Sequence, residues 1–210
     1  MQDIKLNFIN RSNDINKSKI VIFQKNVATD FEELTIAWKV IENCGRLGNH
    51  PFTYPMEFKV CSSDAYGNHT AKQSAFEGRA YAAIQDSSGD VLTGKGTASS
   101  PNQVELHNDL LSGAINANIY KDGKLLAAKT DVVPGQKAIF QFEPRLYLGV
   151  VSEETGLEEG SVMRSAVVQE FNTELDLFGI QSADIVLTGG GAGKGATSYR
   201  FQLENINKIA

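Results

Sequence analysis

The clearest strand signal in the chain is Val167-Val168-Gln169-Glu170-Phe171-Asn172-Thr173-Glu174-Leu175-Asp176-Leu177. Val167, Phe171, Leu175 and Leu177 share one parity, whereas Glu170, Asn172, Glu174 and Asp176 occupy the other. In an extended chain successive side chains point to opposite faces, so this pattern predicts a strand with one buried and one wet face.

The same alternation recurs outward from this stretch, at 4–10, 19–24, 56–61, 104–108, 114–120, 136–142, 145–151, 183–188 and 198–203. Turn chemistry falls between the runs. Lys121-Asp122-Gly123-Lys124 is a hairpin signal, and Val133-Pro134-Gly135-Gln136 sets Pro then Gly as a type II turn prefers. Ten strands separated by such turns predict an all-β fold: a single-domain antiparallel β-sandwich over residues 1–210, with at most one or two short helical turns.

One segment reads two ways. Thr29 with Glu32 resembles a capping box, while Leu34, Ile36, Trp38 and Val40 alternate, so a helical turn leading into a strand is expected across 29–41. An internal echo also appears: the run 6–10 and then 19–25 matches in type the run 104–108 and then 114–121. Each has a strand ending in Asn, a polar loop, and a second strand ending in Lys. A true duplication would favour a two-fold sandwich, although any two hairpins share such features.

Charge bounds the partners. Twenty-five acidic against 20 basic residues give a net charge of −5, with the basic residues scattered, which argues against nucleic acid as a partner. The start of the chain lacks the basic-then-apolar layout of a secretory signal, and no apolar run approaches the about 20 residues of a membrane helix. The protein is therefore expected to be cytoplasmic as synthesised, so a role outside the cell would require release. Cys44 and Cys61 are the only cysteines. Two reduced thiols are expected, with a bridge between strand ends as the alternative.

No catalytic signature stands out. The run Gly189-Gly190-Gly191-Ala192-Gly193-Lys194-Gly195 comes after a strand but fails as a phosphate loop. Thr188 stands where a P-loop needs its first Gly, and Gly195 where it needs the Ser or Thr that holds magnesium. Gly189, Gly190, Gly191, Gly193 and Lys194 are read instead as a mobile hairpin loop. The histidines His50, His69 and His107 have no neighbours at metal-ligand spacing, so no metal or cofactor is expected. The distinctive local chemistry is aromatic. Trp38, Tyr54 and Tyr66 are the candidate target-binding residues, because exposed rings with polar tips suit sugar faces and lipid interfaces. Core packing is the competing reading for Trp38 and Phe52, whereas Tyr54 and Tyr66, in Pro- and Gly-bounded turns, are expected to face solvent.

At 21–26, 43–45, 50–55, 113–117, 133–138 and 182–191 the chain resembles a group of small soil-bacterial proteins. Some carry an aromatic ring-opening dioxygenase label and some have been pursued as insecticidal proteins. The likeness spans nearly the whole chain but carries no site residues with it. The layout is also similar to β-sandwich cytolysins of the actinoporin and aegerolysin kind, by architecture alone. The resemblance implies a non-enzymatic, water-soluble, insecticidal toxin that binds a membrane lipid or glycan receptor and oligomerises into a pore. Two alternatives stand beside it: a structural or self-assembling β-protein joined through sheet edges, and a metal-dependent oxygenase using His50, His69 and a carboxylate.

Overall fold

The computed structural model describes residues 2–15, 18–28, 34–152, 156–164 and 173–209. The protein is all-β. Seventeen strands run in chain order among these residues: β1 (Ile4–Asn10), β2 (Lys19–Phe23), β3 (Leu34–Thr35), β4 (Lys39–Ile41), β5 (Asn49–Tyr54), β6 (Phe58–Ser63), β7 (Gln73–Ala75), β8 (Arg79–Asp86) and β9 (Gly89–Thr97) come first. The remainder are β10 (Val104–Asn108), β11 (Ile115–Lys121), β12 (Lys124–Val132), β13 (Lys137–Phe140), β14 (Arg145–Val151), β15 (Thr173–Asp176), β16 (Ile180–Gly190) and β17 (Thr197–Lys208). A single 3-10 turn, Gly193–Gly195, is the helical element among the described residues.

The strands assort into four sheets in two compact units. Unit 1 comprises Met1–Gln24, Ala37–Met56 and Pro144–Ala210. Its two sheets have the orders β17-β16-β1-β5 and β15-β14-β2-β4. Unit 2 comprises Lys25–Ile36 and Glu57–Glu143, with sheets β13-β10-β8-β9 and β3-β12-β11-β6-β7. Alternation explains each core. In unit 1, β1 buries Ile4, Leu6 and Phe8 on one face, and β14 buries Leu146 and Leu148. In unit 2, Val60, Leu106, Ile119 and Phe140 are all buried. Each such side chain stabilises the fold by roughly 1.5–3 kcal/mol relative to exposure.

The all-β, sandwich-like fold expected from alternation holds, with seventeen strands among the described residues rather than about ten, divided among four sheets. The antiparallel expectation also needs correction at two places, since β1 pairs with β16 and β10 with β8 in parallel. Alternation marks where strands lie but carries no information about partner or direction, which is set by which apolar faces meet.

Of the stretch 167–177, residues 167–172 lie outside the described residues. In the part described, Leu175 and Leu177 are buried and Glu174 and Asp176 exposed, as their parity requires. In the ambiguous segment, 29–33 lies outside the described residues. The chain then forms the short strands β3 and β4, and Ile36, Ala37 and Trp38, which link them in sequence, are fully buried. Cys44 belongs to unit 1 and Cys61 to unit 2, both as free thiols. Burial raises the pKa of the Cys44 thiol despite an opposing hydrogen bond from the backbone of Asn10. Among the described residues, no helix is long and apolar enough to cross a membrane.

Candidate target-binding site

The site is built on the connection between β6 and β7 in unit 2. Asp64, at the end of β6, folds the chain back on itself. Its Oδ1 accepts hydrogen bonds from the amides of Tyr66 (2.9 Å) and Asn68 (2.8 Å), and its Oδ2 accepts one from Asn68 Nδ2 (2.7 Å). These bonds, led by that from the Asn68 side chain, hold the Asp64 carboxyl below its usual pKa. The backbone closes the turn, with Asp64 N donating to the Asn68 carbonyl at 3.0 Å and a bridge between Ser63 and His69. Thr70 then ties the outgoing chain to Ser62 in both directions, through its amide (2.9 Å) and through its Oγ1 (3.0 Å).

This bracing fixes what the loop displays. Tyr66 at its tip is 91% exposed. The same loop borders a cleft of about 230 Å³ whose loop side is formed by Ser62, Ser63, Asp64, Asn68, His69 and Thr70. Asp90, Leu110 and Ile115 complete the lining. Leu111, next to the lining Leu110, is 95% exposed. The cleft offers carboxylate acceptors from Asp64 and Asp90 and amide donors from Asn68, flanked by apolar groups. Such a set suits hydrogen bonding to a neutral polyol.

Behind this lining, Cys61 Sγ lies 3.8 Å from His69 Nδ1 and 3.6 Å from the Tyr120 hydroxyl. Burial, together with the neighbouring thiol, raises the pKa of Tyr120. Cys61 is fully buried, and the cleft lining in front of it is His69 rather than the thiol. Ser62 and Ser63 are also buried, with Ser63 Oγ accepting a hydrogen bond from Asn118 Nδ2. Among the described residues, no group of three or more His, Cys, Asp or Glu side chains could hold a metal. His50 lies on β5 of unit 1 and His69 in unit 2.

The three aromatic candidates do not share a surface. Trp38 is fully buried, packed edge-on against Phe52 (6.4 Å) and Tyr54 (6.0 Å). Tyr54 is 1% exposed, and its hydroxyl accepts a hydrogen bond from Gln24 Nε2 at 2.9 Å. The expectation that Tyr54 faces solvent is therefore corrected: Pro55 comes next, but Tyr54 is the last inward residue of β5, and a buried partner satisfies its polar tip. Only Tyr66 of the three is available to a target.

The glycine run is likewise less open than expected. Gly189 and Gly190 belong to β16, where a Cβ on Gly189 would run into the Ser198 carbonyl and one on Gly190 into the Tyr199 ring. The hairpin connection is confined to the residues after them, where Gly193 and Lys194 are exposed in the 3-10 turn. Sequence reasoning missed Asp64, Asn68, Thr70 and Asp90. Asp64-x-Tyr66-Gly67-Asn68 is a recognisable Asx-turn pattern that could have drawn attention to the loop.

Compared with known protein families, curated proteins and solved structures, the chain matches none.

Proposed function

We propose that the protein is a non-catalytic recognition protein that binds a glycan in the cleft of unit 2. The observation that carries this reading is a single loop, braced by Asp64, that exposes Tyr66 and also supplies Asp64 and Asn68 to the lining of a cleft. An aromatic face packs on the C–H surface of a sugar, while carboxylate and amide groups satisfy its hydroxyls. A braced loop also lowers the ordering cost of binding. Target binding of this kind is the first step of a water-soluble toxin, the role implied by the resemblance to insecticidal proteins. Oligomerisation and pore formation on a target cell would come after it.

The test is a glycan array probed with the full chain, run beside sedimentation with liposomes of neutral and anionic phospholipid. Retention on a defined set of glycans, with no liposome binding, is expected. Liposome binding with an empty array would replace the glycan with a lipid surface and overturn the reading.

A further inference from the structure

We infer that the chain is a tandem duplication whose two copies have exchanged halves, so that each unit is built from one half of each copy. The first copy holds β1 to β9 and the second β10 to β17. Reading β1, β2, β4 and β5 as the counterparts of β10, β11, β12 and β13, and β14 to β17 as those of β6 to β9, turns the sheets of unit 1 into those of unit 2. The order β17-β16-β1-β5 becomes β9-β8-β10-β13, and β15-β14-β2-β4 becomes β7-β6-β11-β12. Among the described residues, only the two-residue β3 has no counterpart. It lies in the connection from β2 to β4, where the second copy has the short hairpin at Asp122-Gly123.

The match extends to the register. Leu6 pairs with Ala183 and Phe52 on its two sides, and its counterpart Val104 pairs with Arg79 and Phe140. Phe8 pairs with Ile185 and His50, and Leu106 with Tyr81 and Ala138. In the other sheets Ile22 opposite Leu148 answers to Ile119 opposite Val60, and Leu146 opposite Leu175 answers to Phe58 opposite Ala75. β1 and β14 each keep their offset across both neighbours, which similar but unrelated hairpins would not do.

Irregular features coincide too. Asn10 and Asn108 each accept, on Oδ1, the amide two residues ahead (Ser12, 2.9 Å; Leu110, 3.1 Å). Each donates from Nδ2 to a carbonyl at a matching position, Cys44 (2.6 Å) and Val132 (2.8 Å). The tight turn closed by Gly48 N on the Gly45 carbonyl matches that closed by Gln136 N on the Val133 carbonyl, with left-handed Leu47 and Gly135 at the same place. Asn205 on β17 and Gly96 on β9 are both left-handed, beside the register shifts.

The correspondence also locates the counterparts of three residues that line the cleft. Asp90, Leu110 and Ile115 answer to Tyr199, Ser12 and Ser18. There the Tyr199 hydroxyl donates to Asp14 Oδ1 (2.9 Å) and Ser18 N to Asp14 Oδ2 (2.9 Å), so Asp14 ties two of these positions together.

Two full-length variants test the duplication without reference to binding. A circular permutant beginning at Pro101 and joining Ala210 to Met1 restores the order second copy, then first. A short Gly/Ser linker makes that join. A hairpin graft replaces 189–199 with a copy of 85–90, and a control graft carries one extra residue. The permutant and the graft are expected to keep the β circular-dichroism spectrum and to lose less than about tenfold in the folding equilibrium constant. The control, which turns the hairpin residues to the wrong face, is expected to lose more. A permutant that does not fold, or a graft no better than its control, would overturn the inference.

Discussion

Asn10 and Asn108 make the same pair of hydrogen bonds in different units, each joining the amide two residues ahead to a carbonyl from a strand-end turn. Asn108 is fully buried. Replacing it with Ala leaves the Leu110 amide and the Val132 carbonyl without their partner, and the expected loss is about 1–3 kcal/mol. Urea unfolding of Asn108→Ala and Asn10→Ala checks it, with a smaller loss expected at the more accessible Asn10.

The two left-handed turn residues are not equally suited to their backbone. Leu47 has φ +64° and Gly135 φ +83°. A left-handed residue with a Cβ costs roughly 1–2 kcal/mol, which glycine avoids. Leu47→Gly is expected to raise thermal stability and Gly135→Ala to lower it. Leu47 is 73% exposed, so little packing is lost in the first change.

Glu105 gives unit 2 an acid limit. Burial works against its charge, but hydrogen bonds from Lys137 Nζ (2.8 Å), Ser99 N (2.8 Å) and His107 Nε2 (2.9 Å) outweigh it, and its pKa falls to about 2. A folded pKa below the unfolded one adds stability above the unfolded pKa, lost as pH drops through the folded value. The contribution is thus complete above about pH 5 and gone below about pH 2, amounting to about 3 kcal/mol. Stability measured from pH 6 to pH 2 should fall less steeply in Glu105→Gln.

The aromatic residues separate by burial. Trp38→Ala and Tyr54→Ala should each cost about 3–5 kcal/mol, as large core truncations do. Tyr66→Ala should stay within about 0.5 kcal/mol, as surface changes do. In the glycine hairpin, Gly189→Ala is expected to destabilise, because the Ser198 carbonyl is backbone and cannot swing aside, while Lys194→Ala leaves stability unchanged. Chemical denaturation of the five variants decides both comparisons.

The all-β class is legible because alternation is a local property, visible at β1 and in the Leu175–Leu177 parity. Pairing is not, since β1 finds its parallel neighbour β16 at the far end of the chain. The echo between 6–10 and 104–108 is the structural correspondence itself, residue for residue. That between 19–25 and 114–121 aligns the terminal Lys residues, whereas the register sets Ile22 beside Ile119. At the site, Tyr66 can be picked out because Gly67 and Asn68 mark a turn. Tyr54 misleads because Pro55 marks one too, and a strand end beside a proline looks the same in sequence whether its last side chain points in or out. The cleft is invisible in sequence, because Asp90 and Leu110 meet the Asp64 loop only through folding.

Glycan binding by Tyr66 and the Asp64-braced cleft meets its sharpest test in isothermal titration calorimetry of the strongest array glycan against the wild type and Tyr66→Ala. One site per chain is expected, with a loss of about 2 kcal/mol in the variant, roughly thirtyfold in affinity, and the denaturation midpoint unchanged. Equal affinity in the two proteins would contradict the glycan reading.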